Sequence, residues 1–190
     1  MDSFGKEALE AHNNFRKAHQ APPLTWSSAL ARDAEAWAKQ IAREGRLRHD
    51  DTKDGENVFM VFGREIDGND AVNSWYSEVK DYNFSKSGYQ SNTGHFTQVV
   101  WKGSKELGIG RAKSADGKVF VVGRYRPAGN NMRAFKENVF PSKAREVDNT
   151  DNNSPDSPGI AANFTGLCNG GNFHCKRKEK QLLILNERGT

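Results

Sequence analysis

The residues best suited to chemistry are two histidines and two glutamates between positions 49 and 95: His49, Glu56, Glu78 and His95. Imidazole and carboxylate groups carry protons, bind divalent metal ions and form buried hydrogen-bonded networks. The four could line one polar cleft, although dispersed histidines and glutamates occur in most chains. His95 lies beside apolar residues in the sequence, and a histidine in such a position is often a hydrogen-bonded core residue. Spacing alone therefore leaves a shared cleft and a set of unrelated residues both open.

Motifs for several common chemistries are absent from the sequence. It contains no His-Glu-x-x-His, no Cys-x-x-Cys, no Gly-x-Ser-x-Gly, no Walker loop and no Gly-x-Gly-x-x-Gly. Zincin-type proteolysis, dithiol redox chemistry, α/β-hydrolase chemistry and dinucleotide binding are therefore not expected.

Apolar spacing predicts two helices ahead of the first candidate residue. Apolar residues recur at helical intervals from Lys6 to His19, which predicts a helix with His12 and His19 on its buried stripe. A second helix carries the apolar stripe from Leu30 to Ile41 and ends at Gly45. His49 is therefore expected in the loop that follows this helix.

Three strands are predicted farther along the chain. Val58–Phe62 is an uninterrupted apolar run, typical of a strand covered on both faces, and Glu56 stands at its start. A carboxylate there is costly unless it has a partner. Leu107–Ala112 and Val119–Tyr125 flank Asp116-Gly117, which indicates a hairpin. With the helices, these strands predict an α+β fold with a mixed, mainly antiparallel sheet covered by helices on both faces.

Two further helices are expected to carry the remaining candidates. A third helix, capped by Asn69 or Asp70, places Glu78 on the flank of its apolar stripe. The segment Gly94–Trp101 predicts a short helix that presents His95 from its first turn.

Length and composition indicate one globular domain with a mildly basic surface. The chain has 190 residues, a formal net charge of +4 and a pI near 9.1. This balance weakly favours anionic partners, although a surface of mixed charge fits it as well, and nucleic acid is not expected as a partner. No apolar run is long enough to span a membrane, the start does not resemble a signal peptide, and Asp2 excludes N-myristoylation. An intracellular protein is therefore expected.

The sequence changes in composition after residue 141. Asp, Asn, Ser, Pro and Gly dominate up to Gly159, which predicts a domain over 1–141 and a largely disordered tail over 142–190. The tail carries the basic cluster Lys176–Lys180, and a partner-binding peptide is the alternative to an unstructured one. Cys168 and Cys175 could close at most one small loop, and so few cysteines favour a reduced compartment.

Four segments, in order along residues 6 to 140, carry a further pattern: His12–His19, Gly55–Val58, Gly94–Trp101 and Tyr125–Asn130. Together they resemble the motifs of the CAP superfamily, the cysteine-rich secretory, antigen 5 and pathogenesis-related 1 proteins that share the SCP domain. Trp75–Phe84 is most similar to the Golgi-associated plant pathogenesis-related protein 1 branch. Members of that branch can be myristoylated, so Asp2 is a departure, as is the long tail.

The resemblance implies a three-layer α-β-α sandwich whose central cleft carries His49, Glu56, Glu78 and His95. The two imidazoles could bind a divalent ion such as Zn²⁺ weakly in an open site, while the two glutamates orient the rings or ligate through water. A buried polar network that holds the sheet to the helices is the alternative, and the two are compatible.

The resemblance also favours a binding protein over an enzyme. The first hypothesis is a non-enzymatic CAP domain that associates with anionic or sterol-containing membranes and with protein partners, and that can form a homodimer. It would lie in the cytoplasm or peripherally on the Golgi membrane, with an extracellular location, usual in the superfamily, as the alternative.

Two other functions stay open. One is a hydrolase with the same two histidines and two glutamates as its catalytic candidates. Phe62 stands where related proteins have been proposed to use a serine, which disfavours a serine mechanism more than metal-assisted hydrolysis. The other is regulatory protein binding through the tail.

Overall fold

A computed structural model describes residues 1–143 of the chain. The helices and strands of this range follow in the order α1 (Ser3–Ala18), β1 (Thr25–Trp26), α2 (Ser28–Glu44), β2 (Gly55–Phe62), α3 (Gly68–Tyr76), α4 (Gly94–Val100), β3 (Glu106–Lys113), β4 (Lys118–Arg126) and α5 (Phe135–Asn138). The predictions about the tail, its basic cluster Lys176–Lys180 and the cysteines Cys168 and Cys175 fall outside the described residues.

The four strands form one mixed sheet in the order β1-β3-β4-β2. β3 and β4 are the predicted hairpin. β2 pairs antiparallel with β4 along the whole length of β2, so that Gly123 opposes Asn57. The two-residue strand β1 adds to the outer edge of β3 in parallel. The predicted mixed, mainly antiparallel sheet is therefore confirmed.

Helices cover both faces of this sheet. On one face α2 packs on strand residues of even number, and the buried members of this cluster are Ala34, Ala38, Ile41, Ala42, Val58, Met60, Phe120 and Val122. On the other face α1, α3 and α4 pack on residues of odd number such as Phe59, Val61 and Val121. Because β2 alternates between the two clusters, it is buried on both faces, as its uninterrupted apolar run predicts. The expected α-β-α sandwich is confirmed.

Two glycines allow α2 to lie directly on β3. A Cβ atom at Gly108 would lie 2.1 Å from the backbone nitrogen of Ala31, and one at Gly110 would lie 2.1 Å from that of Glu35. No side chain fits between the two backbones at these positions. The close contact fixes α2, and with it the loop that follows, against the sheet.

The ends of the helices differ in part from the sequence predictions. Ser27 caps α2, and Gly45 ends it in the left-handed conformation with φ 68°. The cap of α3 is Asp67, neither Asn69 nor Asp70; its carboxylate accepts a hydrogen bond from the backbone of Asp70, whose side chain accepts one in return. This capping box starts the helix two or three residues earlier than predicted.

The third helix also ends earlier than its apolar period predicts. α3 stops at Tyr76, and the chain continues as a 3₁₀ turn over Ser77–Asp81 that contains Glu78. The hydroxyl of Ser77 donates to the carbonyl oxygen of Ser74 at 2.7 Å, a local bond that competes with α-helical pairing. Glu78 therefore projects from a tighter turn than the predicted α-helix.

Candidate functional site

Glu56 and His49 form the first of two histidine–glutamate pairs. Oε1 of Glu56 accepts hydrogen bonds from Nδ1 of His49 at 2.7 Å and from the backbone nitrogen of Asp50 at 3.1 Å. The Glu56 side chain is 4% exposed, whereas that of His49 is 29% exposed. Because an ionised carboxylate only accepts, Nδ1 of His49 carries the proton and the lone pair of the neutral ring lies on Nε2.

The residue before His49 ties this loop to the end of α2. The guanidinium of Arg48 donates to both carboxylate oxygens of Glu44, at 2.6 and 2.7 Å, and lies 4.1 Å from the ring centre of Trp37. The hydrogen bonds from Arg48 and Gln40 lower the pKa of Glu44 to about 2. The loop that carries His49 therefore starts from a fixed position.

Arg124 completes the surroundings of Glu56 and was not among the predicted site residues. It lies opposite Glu56 in the β2–β4 register, and its Nη2 is 3.3 Å from Oε2 of Glu56 and 2.6 Å from Oδ2 of Asp50. Its side chain is 2% exposed, so this buried cation balances the buried carboxylate. The sequence could have indicated Arg124, because it is a charged residue two positions after Val122 and four after Phe120, on the same buried face of the strand.

Glu78 and His95 form the second pair. Oε1 of Glu78 accepts from Nδ1 of His95 at 2.8 Å, and Oε2 accepts from the backbone nitrogens of His95 and Phe96 at 3.0 and 3.1 Å. Thr93 gives α4 no side-chain cap, so Glu78 satisfies the first amides of this helix from a neighbouring element. One carboxylate thus fixes both the start of α4 and the orientation of the His95 ring.

The second ring nitrogen of His95 is the notable atom of this pair. The His95 side chain is 2% exposed, and its buried Nε2 has no hydrogen-bond partner among the described residues. Since Nδ1 donates to Glu78, Nε2 carries the lone pair of the neutral ring. A buried lone pair without a donor is costly and is expected to be satisfied by a ligand or an ordered water.

Asn57 links the two pairs through the backbone. It follows Glu56 on β2, is 1% exposed, and donates from Nδ2 to the carbonyl oxygen of His95 at 3.1 Å and to the hydroxyl of Tyr125 at 3.2 Å. The strand that carries Glu56 is therefore joined to the helix that carries His95. The amide of Asn57 was also not among the predicted site residues.

A cleft of about 220 Å³ opens beside the first pair. Its lining residues are His49, Asp50, Thr52, Lys53, Asp54, Gly55, Glu56, Gln98, Ala128, Gly129 and Asn130. His95 and Glu78 are not among them, although Asn130 donates to the carbonyl oxygen of Gly94, the residue before His95, at 2.9 Å. The structure thus places one pair on the cleft wall and the other pair at the buried start of α4.

The geometry offers little support for a serine nucleophile. Phe62 lies six residues after Glu56 on the same strand, so the two are about 20 Å apart at about 3.3 Å per residue. A nucleophile must lie within hydrogen-bond reach of its base. Neither Phe62 nor another residue at that position could take part in chemistry at Glu56.

The described residues hold no group of three or more His, Cys, Asp or Glu side chains arranged to bind a metal ion. The expected metal ligands His49 and His95 are thus not part of a larger cluster of metal-binding side chains among these residues. Glu56 and Glu78 each hold an Nδ1 atom, which is the usual role of a carboxylate behind a ligating histidine.

Comparison with known proteins shows the family. Residues 9–125, more than half of the chain, match the model of the cysteine-rich secretory protein family, CAP. The human Golgi-associated plant pathogenesis-related protein 1 is 42% identical over 146 residues, which make up 74% of this chain and 94% of the human protein. The predicted resemblance is thus confirmed.

Two other comparisons extend the match to longer proteins and to the fold. Protein PRY2 of Saccharomyces cerevisiae is 36% identical over 141 residues, which are 73% of this chain but 41% of the yeast protein. The crystal structure of NaASP2 with Zn²⁺ shares the fold, with a TM-score of 0.60 and 22% sequence identity. The aligned region covers 75% of this chain and 87% of the NaASP2 chain. The chain belongs to the CAP family of cysteine-rich secretory proteins.

Proposed function

We propose that this chain is a non-enzymatic binding protein that holds a divalent metal ion through its histidine–glutamate pairs and associates peripherally with anionic or sterol-containing membranes. The observation that carries the metal-binding part is the ring of His95. Glu78 fixes its Nδ1, while its buried Nε2 has no hydrogen-bond partner among the described residues. A carboxylate behind Nδ1 makes Nε2 a better ligand.

Zinc suits this donor set best, because imidazole nitrogen is one of its preferred ligands. His95 and His49 would hold the ion, and Glu78 and Glu56 would orient their rings. With two protein ligands the site would be open and weak, and zinc would supply Lewis acidity there. NaASP2, which shares the fold, has been crystallised with Zn²⁺.

Native mass spectrometry with added zinc tests the metal-binding part. The full chain should gain one zinc ion, and the double variant His49→Ala, His95→Ala should gain none. His174→Ala is the matched control, because this histidine lies in the tail, and it should bind zinc as the unaltered chain does. The same spectra report whether the chain forms a homodimer. Equal occupancy in the double variant would contradict the assignment.

The proposal that the protein is not an enzyme is tested with the same variants. Ester and peptide substrates should not be turned over by the zinc-loaded chain. Zinc-dependent hydrolysis that disappears in the His49→Ala, His95→Ala variant would instead establish metal-assisted catalysis.

The proposed membrane association draws on charge and on the family. The net charge is +4 at pH 7, which favours anionic surfaces. In the described range no helix is long and apolar enough to cross a bilayer. By analogy with the human relative, whose name records a Golgi association, we place this chain peripherally on Golgi membranes inside the cell, with secretion as the alternative. Protein partners, bound by the domain or the tail, belong to the same proposal.

Sedimentation with vesicles tests the membrane part. At about 0.1 M salt, where charges act over about 10 Å, the full chain should sediment with phosphatidylserine-containing vesicles more than with pure phosphatidylcholine vesicles. A third set of vesicles with phosphatidylcholine and sterol tests the sterol preference. Equal, background sedimentation with all three would contradict the proposed membrane association.

A further inference from the structure

Five exposed lysines lie where the end of α1, the turn before β3 and the segment around α5 meet. They are Lys17, Lys102, Lys105, Lys136 and Lys143, and we call them the lysine face. None of them lines the cleft beside His49. The lysine face is therefore a separate surface feature of the domain.

Backbone hydrogen bonds hold the three segments of the lysine face together. The backbone nitrogen of Lys102 donates to the carbonyl oxygen of Asn138 at 3.1 Å, which joins the turn to α5. The backbone nitrogen of Lys143 donates to the carbonyl oxygen of Ala18 at 3.0 Å, which joins the last described residue to the end of α1. The lysines are thus gathered by the fold.

Arg16 fixes the turn that carries two of the lysines. Its buried guanidinium donates from Nη1 to the carbonyl oxygen of Trp101 at 2.8 Å and from Nη2 to that of Ser104 at 2.9 Å. Burial lowers the pKa of Arg16 to about 10, so the group stays charged at neutral pH. It adds a sixth positive charge beneath the turn between Lys102 and Lys105.

The charges of the lysine face are not neutralised by neighbouring carboxylates. No ion pair joins any of its lysines to a carboxylate in residues 1–143, although Glu106 and Glu137 are close in sequence. Lysines at the other end of the sheet behave differently: Lys39, Lys113 and Lys118 each pair with an acidic residue. Lys6, Lys80 and Lys86 also lack an ion pair among the described residues, but the lysine face brings five such lysines together on three adjoining segments.

We propose that the lysine face is the surface that docks on an anionic phospholipid bilayer, an inference that rests on the proposed membrane association. Ammonium groups are compact point charges that suit a surface of many mobile phosphates, whereas arginine forks suit specific nucleic-acid or phosphopeptide contacts. The turn that leads into α5 also presents Met132, which is 62% exposed and can enter the headgroup layer. Exposed aromatic rings for stacking nucleic-acid bases are absent from the described part of this face.

Vesicle binding by two matched variants of the full chain tests this surface. One variant changes the five lysines of the lysine face to glutamine. The control changes five other exposed lysines to glutamine, and these are Lys6, Lys39, Lys80, Lys86 and Lys113. The net charge of the two variants is the same. A third variant, Lys176→Gln, Arg177→Gln, Lys178→Gln, Lys180→Gln, removes the basic cluster of the tail.

Partitioning onto phosphatidylserine-containing vesicles should fall about a hundredfold or more in the lysine-face variant, since each lysine near an anionic surface strengthens binding about fivefold. The control should bind much more tightly than the lysine-face variant. Soluble glycerophosphoserine should not displace the unaltered chain, which distinguishes a bilayer surface from a single headgroup site. Circular dichroism and urea unfolding should show all variants folded.

Three outcomes would overturn the assignment and leave the proposed membrane association intact. They are equal binding by the lysine-face variant and the unaltered chain, equal losses in the two five-lysine variants, and a loss confined to the tail variant. If the lysine-face variant instead lost binding to a single-stranded oligonucleotide but not to vesicles, the surface would bind nucleic acid. If the unaltered chain did not bind acidic vesicles at all, the proposed membrane association itself would fail.

Discussion

Four histidines of the described domain fall into two groups that differ in their partners. His12 and His19 lie in α1, and both ring nitrogens of each are bound by uncharged groups. Nδ1 of His12 donates to the carbonyl oxygen of Ala8 and Nε2 accepts from the hydroxyl of Tyr125, both at 2.7 Å. His19 is held in the same way, by the carbonyl oxygen of Phe140 and the hydroxyl of Tyr76.

His49 and His95 instead place Nδ1 against a glutamate. In His12 and His19 one ring nitrogen donates to a carbonyl oxygen and the other accepts from a hydroxyl, so neither ring has a lone pair left for a ligand. Their hydrogen bonds instead join α1 to other parts of the domain. A carboxylate behind Nδ1 makes the opposite ring nitrogen a better ligand. Burial does not distinguish the two groups, since His95 is 2% exposed and His12 is 0% exposed. The partners of each ring do, and they are the basis for the proposed binding role of His95.

The largest expected effect is on stability when a core histidine is removed. His12→Ala leaves a cavity and removes the partner of the buried Tyr125 hydroxyl, which should lower the free energy of unfolding by about 3–4 kcal/mol. His49→Ala, at a partly exposed position, should cost much less. Urea unfolding of the two variants measures both values. Equal losses would show that the two groups do not differ in structural role.

The pH dependence of stability should report the burial of the core histidines. Burial lowers the pKa of His12 from 6.5 to about 4, so the unfolded chain binds this proton more readily than the folded chain. The contribution of neutral His12 to the free energy of unfolding is therefore fully present above pH 6.5. It is lost as the pH falls towards 4, and the total loss is about 3 kcal/mol. Burial lowers the pKa of His19 as well, and so adds to this loss.

Urea unfolding between pH 4 and pH 7 measures this dependence. His12→Gln has no titrating ring, so the stability difference between the unaltered chain and this variant should narrow as the pH falls. A difference that stays constant over this window would contradict neutral burial of His12.

Tyr125 connects the two groups of histidines. Its hydroxyl donates to His12 and accepts from Nδ2 of Asn57. The same Nδ2 atom donates to the carbonyl oxygen of His95. Tyr125→Phe leaves Nε2 of His12 without its donor and should cost about 1–2 kcal/mol. A double-mutant cycle with Asn57→Ala measures the coupling between the two groups. A coupling energy near zero would mean that the core and the binding residues are independent.

Much of this division could be predicted from the sequence. The helical spacing of α1 places His12 and His19 on its buried stripe, and the structure buries both completely. The apolar run of β2, the hairpin and the short helix α4 were likewise predicted and confirmed. These elements are recognisable because each has a periodic or uninterrupted apolar pattern of its own.

Features that depend on contacts distant in sequence were not predicted. The strand β1 has two residues and α5 has four, which is too short for a periodic pattern, and both are fixed by their neighbours. Arg124 and Asn57 gain their roles only when β2 pairs with β4 and α4 packs on the sheet. The resemblance to the family grouped the two histidines with the two glutamates, but only the structure shows which glutamate faces which histidine.

Removing the negative charge of the carboxylate beside Nδ1 of His95 should have the smallest effect. It is also the most specific test of the difference between the two groups of histidines. Glu78→Gln keeps an oxygen that can accept from the amides of His95 and Phe96, so the fold should persist. The new amide nitrogen then faces Nδ1 of His95 and can only donate to it, so the proton of the neutral ring moves to Nε2. Because Nε2 then offers no lone pair, zinc affinity should fall at least about tenfold. Competition with a chromophoric chelator measures this change.

Glu35→Gln is the matched control, because Glu35 is an exposed residue of α2 that pairs with Lys39. The zinc affinity of this variant should equal that of the unaltered chain. A zinc affinity that is equally unchanged in Glu78→Gln would mean that the carboxylate serves only to start α4. His95 would then belong with His12 and His19 as a structural histidine. A tenfold loss without loss of stability would instead show that the partner of Nδ1 distinguishes the two groups.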